Sequence, residues 1–105
     1  MVESTNTQQL KATWMKVQVT DDAKTPLARS SHGVSVLGLG TASPQVVVFG
    51  GENEPRVPID STVHVLDFTS GADATPTGSW KAVEVKSDSS VPPPRVAHAQ
   101  AVLNE

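Results

Sequence analysis

The sequence predicts an all-β fold made of short strands, and three observations lead to that prediction. Apolar residues alternate with polar ones, or run continuously, over short segments with the periodicity of strands. The segments between them are rich in Gly, Pro, Ser, Thr and Asp, which favour turns and loops. A pattern that opens with tryptophan occurs twice, 66 residues apart. The repeating unit therefore contains several strands.

Six strands are predicted along the chain. They cover Trp14–Val19, Ser31–Leu37, Val46–Phe49, Thr62–Phe68, Trp80–Val85 and Ala97–Leu103. The third is continuously apolar, as in a strand buried on both faces, and the others alternate. No segment keeps a 3.6-residue period over three turns, so no helix is predicted.

The repeat keeps the same offset along its length. The first and fifth predicted strands match each other, and in both copies 15 residues separate the tryptophan from an arginine. The matched pairs are Arg29 with Arg95, His32 with His98, Val36 with Val102 and Leu37 with Leu103. Repetition at this scale is typical of proteins built from stacked β units.

Composition excludes several classes of protein. The chain has 105 residues, enough for one small domain, and carries 8 Lys+Arg against 11 Asp+Glu for a net charge of −3. A nucleic-acid partner is not expected, because phosphate binding requires clustered basic residues. The absence of cysteine rules out a disulfide framework and a thiolate metal site.

The N-terminal residues 1–13 form a polar leader without the apolar core of a signal peptide. The longest apolar run, Val46–Phe49, is far shorter than the roughly 20 residues that span a bilayer. We therefore predict no membrane association, and a cytoplasmic or nuclear location.

Four motifs stand in a fixed order. They are Ala-Arg-Ser-Ser-His-Gly at 28–33, Val-Val-Val-Phe-Gly-Gly at 46–51, Val-His-Val-Leu-Asp-Phe at 63–68 and Ser-Trp at 79–80. In this order they resemble a blade of the Kelch-repeat family over residues 14–103, with His64 and Leu66 standing where that family usually has aromatic residues. The resemblance implies a four-stranded propeller blade, related to the galactose oxidase-like propellers.

The resemblance also implies how the Kelch-repeat region 14–105 is divided. Residues 14–19 would be strand four of a closing blade, 31–85 one complete blade, and 97–103 strand one of the next blade. One blade leaves its apolar faces wet, and a propeller needs four to eight blades. We therefore expect an N-terminal fragment of a larger β-propeller, in which other blades or self-association cover these faces.

Within that family, Gly51-Glu52 followed by Pro58-Ile59-Asp60 is most similar to the plant nitrile-specifier, epithiospecifier and thiocyanate-forming proteins. Those proteins redirect glucosinolate breakdown and use iron, at a site that resembles Glu-x-x-x-Asp-x-x-x-His. Asp60 and His64 have the required spacing here, but Arg56 stands at the first position. No metal ligand is therefore predicted, and iron is expected only if the chain is part of a specifier-like protein.

The predicted binding surface is the polar, proline-braced loop that carries Glu52, Asn53, Glu54 and Arg56. Loops carry the binding residues of many scaffolds, and the alternative is an ordinary solvated loop. Arg29 and Arg95 precede equivalent strands near the expected channel mouth. They would either bind an anion there or hydrogen-bond between blades.

The remaining residues of interest are expected to be structural. His32 and His98 lie on adjacent blades by repetition, which favours packed, hydrogen-bonded side chains over a metal site. Gly50 and Gly51 end a strand where the backbone needs unusual dihedral angles. Four other residues are also expected to be structural: Trp14 and Trp80 each open a strand, Asp60 caps a turn, and Asp67 begins a hairpin.

The chain contains no recognised catalytic motif, such as Gly-x-Ser-x-Gly or His-Glu-x-x-His. We therefore predict a protein-interaction module, a scaffold blade with a loop-borne binding surface for a protein partner and no cofactor. The alternatives are part of an iron-dependent specifier-like protein and a purely structural blade. Copper-radical oxidases also carry Kelch repeats, but their chemistry needs Tyr and Cys, which this chain lacks.

Overall fold

The computed structural model describes residues 9–20, 24–70, 76–83 and 90–103. These parts of the chain form a single five-stranded sheet and contain no α-helix, so the predicted all-β fold is confirmed. The strands are β1 (Gln18–Val19), β2 (Gly33–Leu37), β3 (Gln45–Phe49), β4 (Val63–Ser70) and β5 (Pro76–Val83). In the described ranges there is no helix long and apolar enough to cross a membrane.

The strand order is β1-β5-β4-β3-β2. Strands β2 to β5 pair antiparallel in chain order, which short connections allow, and together they make the four-stranded unit of a propeller blade. Strand β1 lies parallel to β5 at the edge of the sheet, with Gln18 opposite Thr77 and Val19 opposite Gly78. The sheet is therefore mixed.

The register divides the side chains between two faces, because neighbours across a ladder lie on the same side. The first face carries Val34, Val36, Val46, Val48, His64, Leu66 and Trp80. The second face carries Ser35, Leu37, Val47, Phe49, Val63 and Val65. Both faces are largely apolar, as expected of a sheet that is covered on both sides.

The core of the sheet is small. Its buried apolar side chains are Val48, Phe49, Val65 and Leu66. Around them the sheet leaves apolar surface exposed, including 52% of Val34 on the first face. Burial of apolar surface provides most of the free energy of folding, so this sheet gains stability from any unit that covers its faces.

Residues 92–103, which we call the C-terminal segment, are held against the second face and the loop ends beside it. Gly51 donates its N–H to the Arg95 carbonyl at 2.9 Å, and Ala97 donates to the Ser31 carbonyl at 2.8 Å. Residues 97–103, predicted as strand one of the next blade, are not in a strand in this structure. A strand requires a neighbouring strand for its backbone groups, and among the described residues no strand forms a ladder with residues 97–103.

Two other predicted elements differ from the structure. The strand expected over 14–19 is reduced to β1, because the outer edge of β5 pairs with only two of its residues. Asp67 does not begin a hairpin, because β4 continues beyond it and Ser70 pairs with Pro76. Most of the polar leader, residues 1–8, and residues 84–89 of the predicted fifth strand and the linker after it lie outside the described residues.

Candidate functional site

The loop that joins β3 to β4 is braced by its own backbone and by Glu52. Glu52 exchanges two backbone hydrogen bonds of 2.8 Å with Ser30, and its carboxylate accepts a hydrogen bond from the Arg56 N–H. Ile59 donates to the Gly51 carbonyl at 2.9 Å and closes the loop at its base. The Glu52 side chain therefore stabilises the loop internally, and the outer residues of the loop remain available to a ligand.

The outer residues Asn53, Glu54 and Arg56 are exposed to solvent. Beside them lies a shallow groove of about 320 Å³, formed with Leu27 and Val57, which are 70% and 52% exposed. Exposed apolar side chains rimmed by polar ones are typical of protein-binding surfaces. The loop and the groove together are called the loop surface below.

The loop surface is supported from beneath by Arg29, whose side chain is only 4% exposed. Its Nε donates to the Leu27 carbonyl at 3.1 Å, and Nη1 donates to the Gly50 carbonyl at 3.0 Å. Nη1 and Nη2 also donate to the two carboxylate oxygens of Asp60, at 3.3 and 3.2 Å. His64 Nε2 lies 3.4 Å from Nη2. Arg29 thus ties the residues before β2 to both ends of the β3–β4 connection.

Electrostatics stabilise the charged form of Asp60. Burial raises the pKa of its carboxyl, but the hydrogen bonds from Arg29 and His64, the Arg29 charge and the Thr62 N–H outweigh burial and leave the pKa below its ordinary value. The Thr62 N–H donates to Oδ1 at 3.2 Å, which is the turn-capping contact predicted for Asp60.

A second carboxylate, Asp67, lies on the second face. The hydrogen bond from Gln45 lowers its pKa, burial opposes that effect, and Lys81, whose Nζ lies 3.2 Å from Oδ2, lowers it further. The two acids are therefore both held ionised by nearby donors, and neither has the raised pKa that a general acid needs.

The contacts of Arg29 distinguish between its two predicted roles, which are binding an anion at a channel mouth and making structural hydrogen bonds. An arginine has five N–H groups, and four of those on Arg29 face the Leu27 carbonyl, the Gly50 carbonyl and the two Asp60 carboxylate oxygens within 3.3 Å. Because these acceptors occupy most of the guanidinium and its side chain is only 4% exposed, the structure favours hydrogen bonding over anion binding for Arg29.

The same arrangement does not fit an iron ion. Asp60 and His64 face each other at 3.4 Å, but the Arg29 guanidinium already occupies the carboxylate, and Arg56 stands where the specifier motif has its glutamate. Within the described ranges, no group of three or more His, Asp or Glu residues is placed to hold a metal.

Arg95 repeats the local geometry of Arg29. Its Nε donates to the Pro93 carbonyl at 3.1 Å, the same contact and distance as Arg29 Nε to Leu27. The residue two positions later has a positive φ in both copies, 57° at Ser31 and 52° at Ala97. Residues other than glycine seldom adopt this conformation, so the sequence repeat is also a repeat of backbone structure.

His32 and His98 are placed differently. His98 packs edge-on against Phe49, with ring centroids 5.6 Å apart, and neither of its buried ring nitrogens has a hydrogen-bond partner in the described part of the chain. The packed position was predicted, but the expected hydrogen bond is not present there. His32 is exposed.

The glycines and tryptophans that were predicted to be structural differ in how closely other residues pack against them. Gly50 and Gly51 have φ of 76° and 102°, and a Cβ on Gly50 would lie 2.4 Å from the His98 ring and 2.6 Å from the Arg95 carbonyl. Trp80 is half-buried, whereas Trp14 is 94% exposed.

Sequence reasoning missed the partners that position the loop surface. Leu27 and Val57 were not predicted to contribute, and the ion pair between Arg29 and Asp60 was not predicted either. The spacing of Asp60 and His64 was the available signal, and the buried cation beside them could not be located from that spacing alone.

Comparison with known proteins gives one informative similarity. Over 93 residues, which make up 89% of this chain, the sequence is 33% identical to N-(sulfonatooxy)prop-2-enimidothioate sulfolyase from Thlaspi arvense. The chain spans 22% of the length of that curated relative. No protein-family model matches the chain, and no solved structure matches it.

Proposed function

We propose that the chain is a Kelch-type blade of a β-propeller scaffold and that its loop surface binds a protein partner. The observation that carries this proposal is the contrast between a rigidly supported base and an exposed rim. Arg29, 4% exposed, fixes the loop from below, while Asn53, Glu54 and Arg56 are left to solvent.

Support from beneath matters because ordering a loop on binding reduces affinity. A loop that is already fixed loses less conformational entropy when a partner binds. The intraloop bonds of Glu52 and the Arg29–Asp60 ion pair provide that preorganisation.

The chemistry of the rim points to a protein rather than a small molecule. Leu27 and Val57 offer exposed apolar contact area, and Glu54 and Arg56 offer one charge of each sign. The groove is shallow, whereas small-molecule sites enclose most of their ligand. A polypeptide segment with an apolar anchor and charged flanks matches such a surface.

The proposal is tested by placing a photo-crosslinking amino acid at Glu54 and, as a matched control, at Ala42. Ala42 is exposed on the loop between β2 and β3, at the opposite end of the strands. We expect protein adducts from position 54 that the substitutions Asn53→Ala and Arg56→Ala diminish. Equal adducts from both positions, or none from position 54, would contradict the proposal.

A second candidate is a part of a specifier-like protein, and the similarity to the Thlaspi arvense sulfolyase favours it. The name of that relative describes a lyase acting on a sulfated imidothioate. The test is to incubate the full chain with N-(sulfonatooxy)prop-2-enimidothioate, with and without Fe²⁺, and to analyse the products. Conversion by this chain would favour the second candidate over the first.

A further inference from the structure

The outer edge of β5 is only partly covered by β1. Strand β5 covers Pro76–Val83, and β1 pairs in parallel with two of its residues, Thr77 and Gly78. The Thr20 N–H extends this contact with a hydrogen bond of 3.0 Å to the Gly78 carbonyl. The second half of β5 therefore lies at the edge of the sheet, and no strand in the described part of the chain lies beside it.

The backbone groups of this edge are free beyond Gly78. Successive residues of a strand point their N–H and C=O groups to opposite sides. Because the Gly78 carbonyl points to β1, the backbone groups of Trp80 and Ala82 point outward as well. Neither residue has a partner for these groups among the described residues. An edge of this kind is a template on which another strand can pair.

Strand β1 is held weakly on the edge. Both of its residues, Gln18 and Val19, are exposed, so β1 buries little apolar surface. Its contact with β5 consists of a few backbone hydrogen bonds, each of which contributes little net stability. Another strand that pairs with more of β5 can therefore displace it.

A second copy of β5 fits this edge only in particular registers. In an antiparallel pair, residues whose backbone groups point toward the partner must lie opposite each other. While β1 holds Gly78, the register that uses both Trp80 and Ala82 places these two residues opposite each other. That register also places Lys81 directly opposite Lys81 of the second copy, and opposed like charges destabilise a sheet.

Release of β1 makes a better register available. With Gly78 free, Trp80 can lie opposite Trp80 of the second copy, and Ala82 opposite Gly78. Lys81 then lies opposite Ser79, so the two like charges are no longer opposed. Aromatic side chains that lie directly opposite each other stabilise a sheet, and the paired stretch is longer than in the first register.

We propose that β5 is a self-association edge and that β1 is the strap that controls it. The partner is a second copy of this chain, which pairs antiparallel through β5 with Trp80 at the centre. Backbone hydrogen bonds supply the affinity, and the Lys81 charge selects the register. The two edges pair in this register only after β1 leaves Gly78. This inference concerns one edge of the sheet and is independent of the loop surface.

The first test compares dimerisation by analytical ultracentrifugation. Thr20→Pro removes the N–H that binds the Gly78 carbonyl, so β1 is released more often. We expect its dimer dissociation constant to be about tenfold lower than that of the unaltered chain, because more molecules then have a free edge. Thr13→Pro, at an exposed position outside β1, should leave the constant unchanged. Equal constants for the two proline variants would overturn the proposal.

A second substitution tests whether the dimer forms through β5. Ala82→Pro removes an N–H that points away from the sheet, which edge strands tolerate, and it blocks pairing at that position. The double variant Thr20→Pro/Ala82→Pro should therefore lose the tighter association of Thr20→Pro. A double variant that dimerises as tightly as Thr20→Pro would also overturn the proposal.

Disulfide trapping keeps the test decisive if Thr20→Pro does not fold. The chain has no cysteine, so single-cysteine variants report contacts without background. In the proposed register Val83 lies opposite Thr77, whereas in the register that opposes the two lysines it lies opposite Ser79. Mixed under oxidising conditions, Val83→Cys should link to Thr77→Cys several times faster than to Ser79→Cys, because opposed residues lie within disulfide distance. Equal rates, or the reverse order, would contradict the proposed dimer.

Discussion

The Arg29 guanidinium binds the Asp60 carboxylate through two contacts, Nη1 to Oδ1 at 3.3 Å and Nη2 to Oδ2 at 3.2 Å. The two residues are 31 positions apart, and no other ion pair in the described ranges links the residues before β2 to the β3–β4 connection. This pair therefore fixes the loop surface relative to the sheet.

Removing the arginine should destabilise the fold. Arg29→Ala leaves a partly buried carboxylate without its cation, and we expect a loss of about 2–3 kcal/mol in the free energy of unfolding. Arg29→Lys should recover part of that loss, because lysine keeps the charge and lacks the fork. Urea denaturation measures both.

The control for this prediction is Arg56→Ala, which removes an exposed arginine from the loop. A surface substitution of this kind should change stability by less than about 0.5 kcal/mol. An equal effect of the two alanine substitutions would show that the ion pair with Asp60 does not stabilise the fold.

Stability should fall in acid because of Asp60. Burial raises its pKa, but the Arg29 and His64 contacts lower it by more, so the folded-state pKa lies below the unfolded one. The stabilisation is complete above the ordinary carboxyl pKa of about 4 and is lost as the pH falls below that value through the lowered pKa. Urea midpoints between pH 7 and pH 3 measure the loss.

The matched variant for the pH series is Asp60→Asn, which cannot titrate. It should be less stable than the unaltered chain at pH 7 and should lose less stability on acidification. Asp67→Asn should flatten the profile as well, since Gln45 and Lys81 lower the pKa of Asp67. Parallel profiles for Asp60→Asn and the unaltered chain would refute this assignment.

The small core should be sensitive to truncation. Leu66 is 9% exposed in the centre of the first face, opposite Val46 and Trp80. Leu66→Ala should cost about 2–4 kcal/mol, because it removes buried methyl groups and leaves a cavity. The same substitution at Leu39, which is 78% exposed, should cost less than about 0.5 kcal/mol. Thermal and urea unfolding of both variants check the difference.

The sequence was sufficient to predict strands β2 to β4 and the second half of β5, because alternation and the continuous run Val46–Phe49 are local signals. Strand β5 begins at Pro76, four residues before the predicted start at Trp80. The sequence was not sufficient to predict the conformation of residues 97–103. Residues 97–103 repeat the pattern of β2, but a strand forms only where a neighbour accepts its hydrogen bonds, and sequence periodicity carries no information about that neighbour.

The candidate site was predictable only in part. The exposed residues Asn53, Glu54 and Arg56 followed from loop composition, and the structure leaves all three in solvent. The support under them depends on the β3–β4 register, which brings Asp60 against Arg29. Such a contact between distant residues arises from tertiary structure, and no local pattern in this sequence encodes it.

The contact between Gly50 and the C-terminal segment gives the last prediction. A Cβ at Gly50 would lie 2.4 Å from the His98 Cε1 and 2.6 Å from the Arg95 carbonyl, at a φ of 76°. Gly50→Ala should therefore cost about 2–4 kcal/mol, the sum of backbone strain and steric overlap. Gly40 has a similar φ of 85° but no atom within 4 Å of the added Cβ, so Gly40→Ala should show the strain alone, about 1 kcal/mol.

The two alanine variants should also differ in where they loosen the structure. Gly50→Ala forces Arg95 and His98 away from the sheet, so the Ala97 N–H, which donates to the Ser31 carbonyl, should exchange with solvent faster. Gly40→Ala should leave that exchange rate unchanged. If both variants accelerate it equally, the close approach of Gly50 does not hold the C-terminal segment, and the segment is held by Gly51 and Gln100 instead.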